Sequence, residues 1–239
     1  MNLLDFLYPH SCAICGTTDF ESIQFNLCKK HMEQSKEKNI FNFSNVCNCC
    51  KTPLLNDKTC EYCESRNVFF DKLYYLLEKN ETNSELLVKW KFQEEKHLEQ
   101  FFLSEYRSVA RALEEEQIDL ITQAPSHKKS IRKRGYVHLK PILEQISQDL
   151  KIPFLDLLQK NSQEHQSHKK FRERYFHART AFQFRENQDI KGKTILLVDD
   201  IFTTGASLNE ISKILKWNGA KKIILFCLVK SISELHETV

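Results

Sequence analysis

The chain has 239 residues, of which 41% are hydrophobic and 28% charged, and this size fits one medium domain or one domain with a small appended module. The net charge is only +3, from 35 Lys and Arg against 32 Asp and Glu, which excludes a globally basic coat for nucleic acid but not local basic patches. No apolar run approaches the roughly 20 residues of a membrane-spanning helix. The short apolar N-terminus has no preceding positive charge, unlike a signal peptide. We therefore expect a cytoplasmic protein without membrane insertion.

The cysteines are concentrated near the N-terminus, where eight of the nine lie between residues 12 and 63. Four pairs of potential metal ligands occur there, each with two residues between its members: Cys12 and Cys15, Cys28 and His31, Cys47 and Cys50, and Cys60 and Cys63. This spacing lets both members of a pair reach one tetrahedral zinc ion from a tight turn. Gly16 follows the first pair, where such a turn favours a permissive backbone.

These pairs supply eight ligands, enough for two structural zinc sites, one with three Cys and one His and one with four Cys. We prefer sequential sites, each built from two successive pairs, although the spacing also allows interleaved ones. A disulfide framework is the alternative, but nothing directs the chain to secretion. We expect Cys49 to be a spare thiol and Cys227, within an apolar run, to be a core residue. Because residues 1–68 contain few aliphatic side chains, metal must supply much of this module's folding free energy.

From residue 69 to 239 the apolar pattern predicts strands that alternate with helices. Predicted strands lie at 69–80 (with a following turn), 118–125, 152–158, 194–198 and 221–230, and predicted helices lie at 84–116, 138–151 and 208–218. We expect Ser84 to cap the first of these helices and Gly219 to end the last in a left-handed conformation. Residues 159–189 are polar and show no apolar period. The alternation is typical of an α/β domain with a mainly parallel sheet.

The most informative segment is Ile195–Ser207, in which an apolar strand ends in two adjacent carboxylates, Asp199 and Asp200. A short loop of small hydroxyl residues around Gly205 follows, and a helix then begins. Ligands of open α/β sheets bind at the carboxyl ends of strands, and a loop entering a helix N-terminus suits a phosphate. The carboxylates would repel a bare phosphate but accept hydrogen bonds from the hydroxyls of a phosphorylated sugar. A plain strand–turn–helix is the alternative, but the complete order of residues is more specific than that.

The stretch VDDIFTTGAS at 198–207 resembles the 5-phosphoribosyl-1-pyrophosphate (PRPP) motif of type I phosphoribosyltransferases. A Cys-rich front followed by such a domain resembles the ComF family of competence-related proteins. The resemblance implies a type I phosphoribosyltransferase-like fold, with Mg²⁺ held mostly by the pyrophosphate of PRPP. It also implies that Asp199 and Asp200 bind the ribose hydroxyls and that the 5′-phosphate is held by the loop residues Thr203, Thr204, Gly205, Ala206 and Ser207.

Two basic segments accompany this motif. Residues 127–140 contain six Lys or Arg and no acid, and residues 165–185 contain six more with only Glu173 opposing them. The first segment resembles the family's Arg-Gly-Phe-Asn-Gln, with Val137 and His138 in place of the two amides. Candidate contacts to pyrophosphate or DNA phosphate are Arg132, Lys133, Arg134, Arg172, Arg174 and Arg179. The second segment could be a mobile lid over PRPP or, with nearby aromatic side chains as stacking platforms, part of a groove for single-stranded DNA. Solvated loops are the alternative for both.

Three functions fit these observations. The first, implied by the family resemblance, is a ComF-type protein that binds PRPP or a related sugar phosphate and helps handle single-stranded DNA in natural transformation, together with competence DNA-translocation proteins. The second is an active PRPP-dependent phosphoribosyltransferase in nucleotide metabolism. The third is a PRPP-sensing protein without turnover. The sequence shows no convincing nucleobase pocket and no clear candidate for a general base.

Overall fold

The structure is a computed structural model, and it describes residues 11–37, 45–54, 60–92, 97–126, 132, 136–160, 181–185 and 188–232. Six strands occur in these ranges: β1 (Lys72–Glu78), β2 (Leu120–Gln123), β3 (Leu158–Lys160), β4 (Phe182–Phe184), β5 (Thr194–Phe202) and β6 (Lys222–Lys230). Four of them form one parallel sheet in the order β1-β6-β5-β2, and β3 and β4 form an antiparallel pair. The predicted α/β architecture with a mainly parallel sheet is confirmed.

Seven helices accompany the strands in the described ranges: α1 (Phe20–Phe25), α2 (Lys29–Lys36), α3 (Glu61–Glu64), α4 (Glu81–Phe92), α5 (Leu98–Glu114), α6 (Lys140–Leu150) and α7 (Ala206–Trp217). The helices predicted at 138–151 and 208–218 are confirmed as α6 and α7. Gly219, at φ +96°, follows the end of α7 in the left-handed region, as expected.

The single helix predicted at 84–116 is wrong, because two helices, α4 and α5, occupy this stretch. His97 directly precedes α5 and lies outside the helix, and residues 93–96 lie outside the described ranges. The predicted cap at Ser84 is also wrong. Ser84 lies inside α4, where its hydroxyl donates to the carbonyl of Asn80 at 2.7 Å, and Asn80 Oδ1 accepts the N–H of Asn83 at 2.8 Å. Asn80 therefore performs the capping role, one turn earlier than predicted.

The predicted strands at 118–125, 194–198 and 221–230 are confirmed as β2, β5 and β6, but β5 is longer than expected. Its pairing with β6 continues to Phe202, so Asp199 and Asp200 lie within the strand rather than after it. The strand predicted at 152–158 is reduced to one bridge between Phe154 and Ile121, and β3 begins only at its last residue. In the polar stretch 159–189, the end of β3 and all of β4 are regular structure.

Alternating residues of the central strands feed two hydrophobic cores, one on each face of the sheet. Leu196 and Val198 of β5 pack with the buried faces of α4, α5 and α6, whereas Ile195 and Leu197 pack with α7. Such near-continuous apolar strands are typical of a parallel sheet covered on both faces. Cys227 of β6 is fully buried in the core on the α7 side, as predicted.

The Cys-rich residues ahead of β1 divide between these two cores. Cys12, Leu27 and Cys28 join the core of α4, α5 and α6, and α1 packs against α5. Cys50, Cys60 and other buried residues of the same front region join the α7 core instead. Residues that precede β1 in the sequence therefore pack in the cores on both faces of the sheet.

Glu116, just after α5, ties the two neighbouring strands β1 and β6 together. Its carboxylate accepts from Lys72 at 2.5 Å, from Tyr74 at 2.5 Å and from Lys222 at 2.6 Å, and its side chain is only 7% exposed. Burial alone would raise the pKa of Glu116, but the hydrogen bonds from the two lysines and the tyrosine outweigh it and lower the pKa to about 2.

Candidate metal and sugar-phosphate sites

The first two ligand pairs converge into one potential metal site. The donor atoms of Cys12, Cys15, Cys28 and His31 all lie within 4.8 Å of one another. Cys28 is the residue directly before α2 and His31 lies in the first turn of this helix, which brings the two ligands close together. The Sγ atoms of Cys15 and Cys28 are 3.8 Å apart, and His31 Nδ1 lies 3.1 Å from Cys28 Sγ and 3.4 Å from Cys12 Sγ.

The last two pairs form a second site of the same construction. Cys47, Cys50, Cys60 and Cys63 bring four Sγ atoms within 4.8 Å of one another, with Cys47 and Cys63 3.8 Å apart and Cys50 and Cys60 3.4 Å apart. Cys63 lies on the short helix α3, and Cys60 directly precedes it. The sequential grouping that the sequence favours is therefore the one the fold brings together. Cys49 lies outside the group, and its Sγ hydrogen-bonds the Phe70 carbonyl oxygen at 3.5 Å.

Both donor sets fit a tetrahedral metal ion. Four ligands at the usual Zn–S distance of about 2.3 Å are separated by about 3.8 Å along each edge of the tetrahedron, and the observed separations of 3.1–3.8 Å are close to this. All nine cysteines lie in the described ranges and none forms a disulfide. The two sites can each hold one metal ion.

The two Cys-x-x-Cys turns share a backbone design that the sequence reveals only in part. The residue after each turn is left-handed, Gly16 at φ +73° and Lys51 at φ +58°, and its N–H donates to the carbonyl of the first cysteine of its pair at 2.8 and 2.9 Å. Glycine is the expected residue at such a position. Lys51 shows no comparable signal in the sequence, so the second turn was identifiable from its cysteines alone.

The two carboxylates lie at the carboxyl end of β5, at the edge where a parallel sheet binds ligands. Asp200 is 9% exposed and its Oδ2 lies 2.5 Å from the ammonium Nζ of Lys91 and 2.9 Å from His138 Nε2. Lys91 comes from the last turn of α4, and His138 lies two residues before the first residue of α6. His138 is held edge-on against the Trp90 ring, with centroids 5.3 Å apart, and the Tyr136 hydroxyl donates to the Trp90 carbonyl.

These contacts shift the pKa values of the two neighbouring acids in opposite directions. Burial alone would raise the pKa of Asp200, but the hydrogen bond from His138 and the charge and hydrogen bond of Lys91 lower it. Desolvation, followed by the negative charge of Asp200, raises the pKa of Asp199 to about 8, even though Asp199 Oδ1 accepts the N–H of Asp200 at 2.9 Å. Asp200 is therefore the more acidic of the two carboxyls, and Asp199 is the one that more readily holds a proton.

The five loop residues after β5 form the start of α7. Gly205 is left-handed at φ +69° and precedes the first residue of the helix, and its carbonyl accepts the N–H of Asn209 at 2.8 Å. Thr204 is buried, with its Oγ1 3.4 Å from the Ala206 N–H, whereas Ser207 is exposed. No acidic residue lies in the first turn of α7, so the positive end of the helix dipole is not cancelled there.

The basic candidates are placed only in part. Arg132 is exposed. The remaining candidates lie outside the described residues, and they are Lys133, Arg134, Arg172, Arg174 and Arg179.

Four side chains near the loop and the acid pair were not predicted as site residues from the sequence. Lys91 and His138 pair with Asp200, and Tyr62 and Arg66 reach the loop from the second metal site. His138 carried a weak signal, because it ends the Arg-Gly-aromatic segment, and Tyr62 stands between two metal ligands. Lys91 and Arg66 carried none, because only the tertiary fold brings them to this edge of the sheet.

A family model described as a phosphoribosyl transferase domain matches residues 130–238. The chain is 29% identical over 151 residues to the competence protein ComFC of Streptococcus pneumoniae, a match that spans 63% of this chain and 64%, just under two thirds, of that protein. It is 27% identical over 184 residues to competence protein F of Haemophilus influenzae, across 72% of this chain and 78% of the relative. It is 26% identical over 193 residues to ComFC of Bacillus subtilis, across 78% of each.

Among solved structures, an adenine phosphoribosyltransferase superimposes with a TM-score of 0.40 at 17% identity, covering 60% of this chain and 75% of that one. The adenine phosphoribosyltransferase of Saccharomyces cerevisiae gives 0.39 at 16% identity, covering 60% and 74%. No helix among the described residues combines the length and apolarity needed to cross a bilayer. The matched domain, the parallel sheet and the paired Cys clusters together support the resemblance to the ComF family, with a type I phosphoribosyltransferase-like α/β domain behind a Cys-rich front that can hold metal.

Proposed function

We propose that this protein binds PRPP or a related sugar phosphate, with Mg²⁺, at the carboxyl end of β5 and assists the handling of single-stranded DNA during natural transformation, in the cytoplasm. The two metal sites hold structural zinc. The observation that carries the proposal is the pair Asp199 and Asp200 beside the loop that opens α7. This is the place in an open α/β sheet where phosphorylated ligands bind.

The opposite pKa shifts of the two acids suit a sugar diol. Each ribose hydroxyl can donate one hydrogen bond and accept others. Ionised Asp200 accepts from one hydroxyl while protonated Asp199 donates to the other. The pair therefore recognises two adjacent hydroxyls without placing two full negative charges beside an anionic ligand.

The loop that follows supplies the phosphate part of the site. Residues 203–207 run into the N-terminus of a twelve-residue helix, where backbone N–H groups and the helix dipole favour an anion. Lys91 adds a positive charge at the same edge of the sheet, paired with Asp200. Mg²⁺ would be coordinated mainly by the pyrophosphate of the ligand.

The DNA role is supported by the relatives, all three of which carry competence names. An active phosphoribosyltransferase is the second candidate, favoured by the family model that matches residues 130–238. The two are separated by mixing Mg²⁺ and PRPP with the protein, in the presence and absence of a short single strand, and measuring pyrophosphate release. Sustained release favours the transferase, whereas tight binding without release favours the competence role.

Calorimetric titration of Mg²⁺-PRPP tests the sugar-phosphate site. We expect Asp200→Asn to weaken binding by roughly 10- to 150-fold, since a charge-assisted hydrogen bond contributes about 1.5–3 kcal/mol. Asp189→Asn is the control, because Asp189 is exposed and precedes β5 at the opposite end of the strand. Equal PRPP affinity of the two variants, with matching melting temperatures, would contradict the assigned role of Asp200.

The basic segments are tested with two triple variants. Neutralising Arg132, Lys133 and Arg134 should abolish PRPP binding if these residues contact pyrophosphate, while DNA binding persists. Neutralising Arg172, Arg174 and Arg179 should weaken binding of all single strands alike and reduce the salt slope by roughly 0.7 for each lost phosphate contact. If neither variant changes either ligand at two salt concentrations, both segments are solvated surface.

A further inference from the structure

The second metal site lies directly against the loop assigned to phosphate. Helix α3, which carries the ligand Cys63, also carries Tyr62, and Arg66 follows two residues after its end. Tyr62 is only 5% exposed, and the Arg66 guanidinium lies 4.4 Å from the centre of its ring. These two side chains extend from the second metal site to the loop that follows β5.

Both side chains donate to the same acceptor, the carbonyl oxygen of Thr204. The Tyr62 hydroxyl reaches it at 3.0 Å and Arg66 Nη1 at 2.9 Å. Because a trans peptide is planar, fixing this carbonyl also fixes the N–H of Gly205 at the other side of the same plane, pointing away from Tyr62 and Arg66. The two donors therefore set the direction of a backbone N–H in the middle of the phosphate loop.

The packing around these bonds leaves little room for another loop conformation. A Cβ on Gly205 would lie 2.1 Å from the Tyr62 hydroxyl and 2.5 Å from Phe202 Cζ. The rings of Tyr62 and Phe202 are themselves in contact, with centroids 5.9 Å apart. The loop is thus held between the end of β5 and a side chain of the metal module.

A second pair of bonds fixes the start of α7 to the chain that leaves the metal module. Asn209 Nδ2 donates to the Asn67 carbonyl at 2.8 Å, and Asn209 Oδ1 accepts the N–H of Phe69 at 2.8 Å. Asn209 is buried in the first turn of α7. The contact between module and site therefore includes both the loop and the helix N-terminus.

Tyr62 lies in sequence between two ligands of the second metal site, Cys60 and Cys63. Helix α3 has four residues, too few to be stable by themselves. A metal ion bound by Cys47, Cys50, Cys60 and Cys63 would fix the helix and, through it, both donors to Thr204.

We propose that Tyr62 and Arg66 are positioning residues that hold the phosphate loop in its binding conformation, so that occupancy of the second metal site and affinity for the sugar phosphate are thermodynamically linked. This inference rests on the proposed function for its ligand, PRPP, but not for the loop ordering itself. Linkage is reciprocal, so the ligand also strengthens metal retention at the second site and leaves the first unchanged.

The test uses the full-length, zinc-loaded protein and the variants Tyr62→Phe and Arg66→Gln, with Arg111→Gln as the control. Arg111 is an exposed residue of α5, outside both sites. Hydrogen exchange of the backbone amides of residues 203–207 is measured without ligand, zinc content is measured in parallel, and PRPP is then titrated. Each test variant should keep its zinc, exchange about fivefold faster in the loop and bind PRPP about fivefold more weakly, the factor contributed by one ordinary hydrogen bond.

A chelator titration of the wild-type protein gives an independent measurement that needs no substitution. Loss of the second zinc should raise exchange in residues 203–207, and saturating Mg²⁺-PRPP should delay that loss. Unchanged loop exchange in both variants and after chelation overturns the inference, whether or not PRPP binds. If the wild type does not bind PRPP but the loop exchange responds as expected, the loop ordering stands and the proposed function fails.

Discussion

The substitution Gly205→Ala tests how tightly the phosphate loop is packed, and Gly192→Ala is a matched control for it. Both glycines are left-handed, at φ +69° and φ +75°, so both variants pay the cost of about 1–2 kcal/mol for placing an L side chain there. A Cβ at Gly192 meets nothing within 4 Å. At Gly205 it would overlap the Tyr62 hydroxyl and the Phe202 ring, so only this variant adds a steric term.

The steric term can be estimated from the contacts. Overpacking of a well-packed region costs about 1–3 kcal/mol, and moving Tyr62 away also removes its bond to the Thr204 carbonyl, about 0.5–1.5 kcal/mol. Gly205→Ala should therefore lose about 3 kcal/mol more unfolding free energy than Gly192→Ala. For a chain of this size, that corresponds to a difference of about 6–12 °C in melting temperature.

Urea unfolding of both zinc-loaded variants, followed by circular dichroism, measures this difference, and the Mg²⁺-PRPP titration is repeated on each. Gly205→Ala should also lose PRPP affinity, whereas Gly192→Ala should keep it, because Gly192 precedes β5 at the end far from the loop. Equal loss of stability in the two variants would refute the tight packing of Gly205 against Tyr62 and Phe202.

Three further predictions concern metal, stability and pH. Metal analysis of the purified chain should find about two zinc ions. Cys60→Ala should lose one zinc ion outright, whereas His31→Ala should only weaken binding of the other zinc ion. Four intact disulfides without zinc would contradict these expectations. Glu116→Gln should lose about 2 kcal/mol of unfolding free energy at pH 7, allowing for the part exposure of its lysine partners. Because a lowered carboxyl pKa stabilises the folded state only above that pKa, the difference should vanish as pH falls from about 4.5 towards 2. A pH-independent difference would exclude the ion pairs as its cause. PRPP binding should weaken above about pH 8 as Asp199 ionises beside Asp200, and Asp199→Asn should remove that dependence; an unaltered pH profile would reject the protonated acid.

The elements that the sequence predicted well are those with a strong local signal. Buried strands such as β5 and β6 are near-continuous apolar runs, and the Cys pairs have a spacing that few other functions require. The extra length of β5 was not predictable from its polar end, because its last residues are held in the strand by pairing with β6. Two separate helices, α4 and α5, were not predicted because the apolar residues of both have helical spacing, which indicated one continuous helix.

The contiguous residues of the candidate site were predictable from the sequence, but the spatial partners of Asp200 were not. Asp199, Asp200 and the loop are contiguous in sequence, so their order sufficed to identify them. The partners of Asp200 come from the end of α4 and from the residue pair before α6, and their distances to the carboxylate depend on how those helices pack. The opposite pKa shifts of the two acids follow from burial and from these partners, and therefore could not be derived before the fold.

The central place of β6 in the sheet has a consequence for the order of folding. β6 is the last strand of the described chain, yet it lies between β1 and β5, and the Ile223 N–H donates to Asp71 across a separation of 152 residues. Bringing such distant segments together is slow, because loop-closure entropy is lost before the contact is gained. During synthesis the two Cys clusters emerge long before β6, so we expect metal to bind a front segment whose apolar surfaces still await the sheet. A ribosome-bound chain truncated before β6 should therefore be metal-loaded but readily proteolysed.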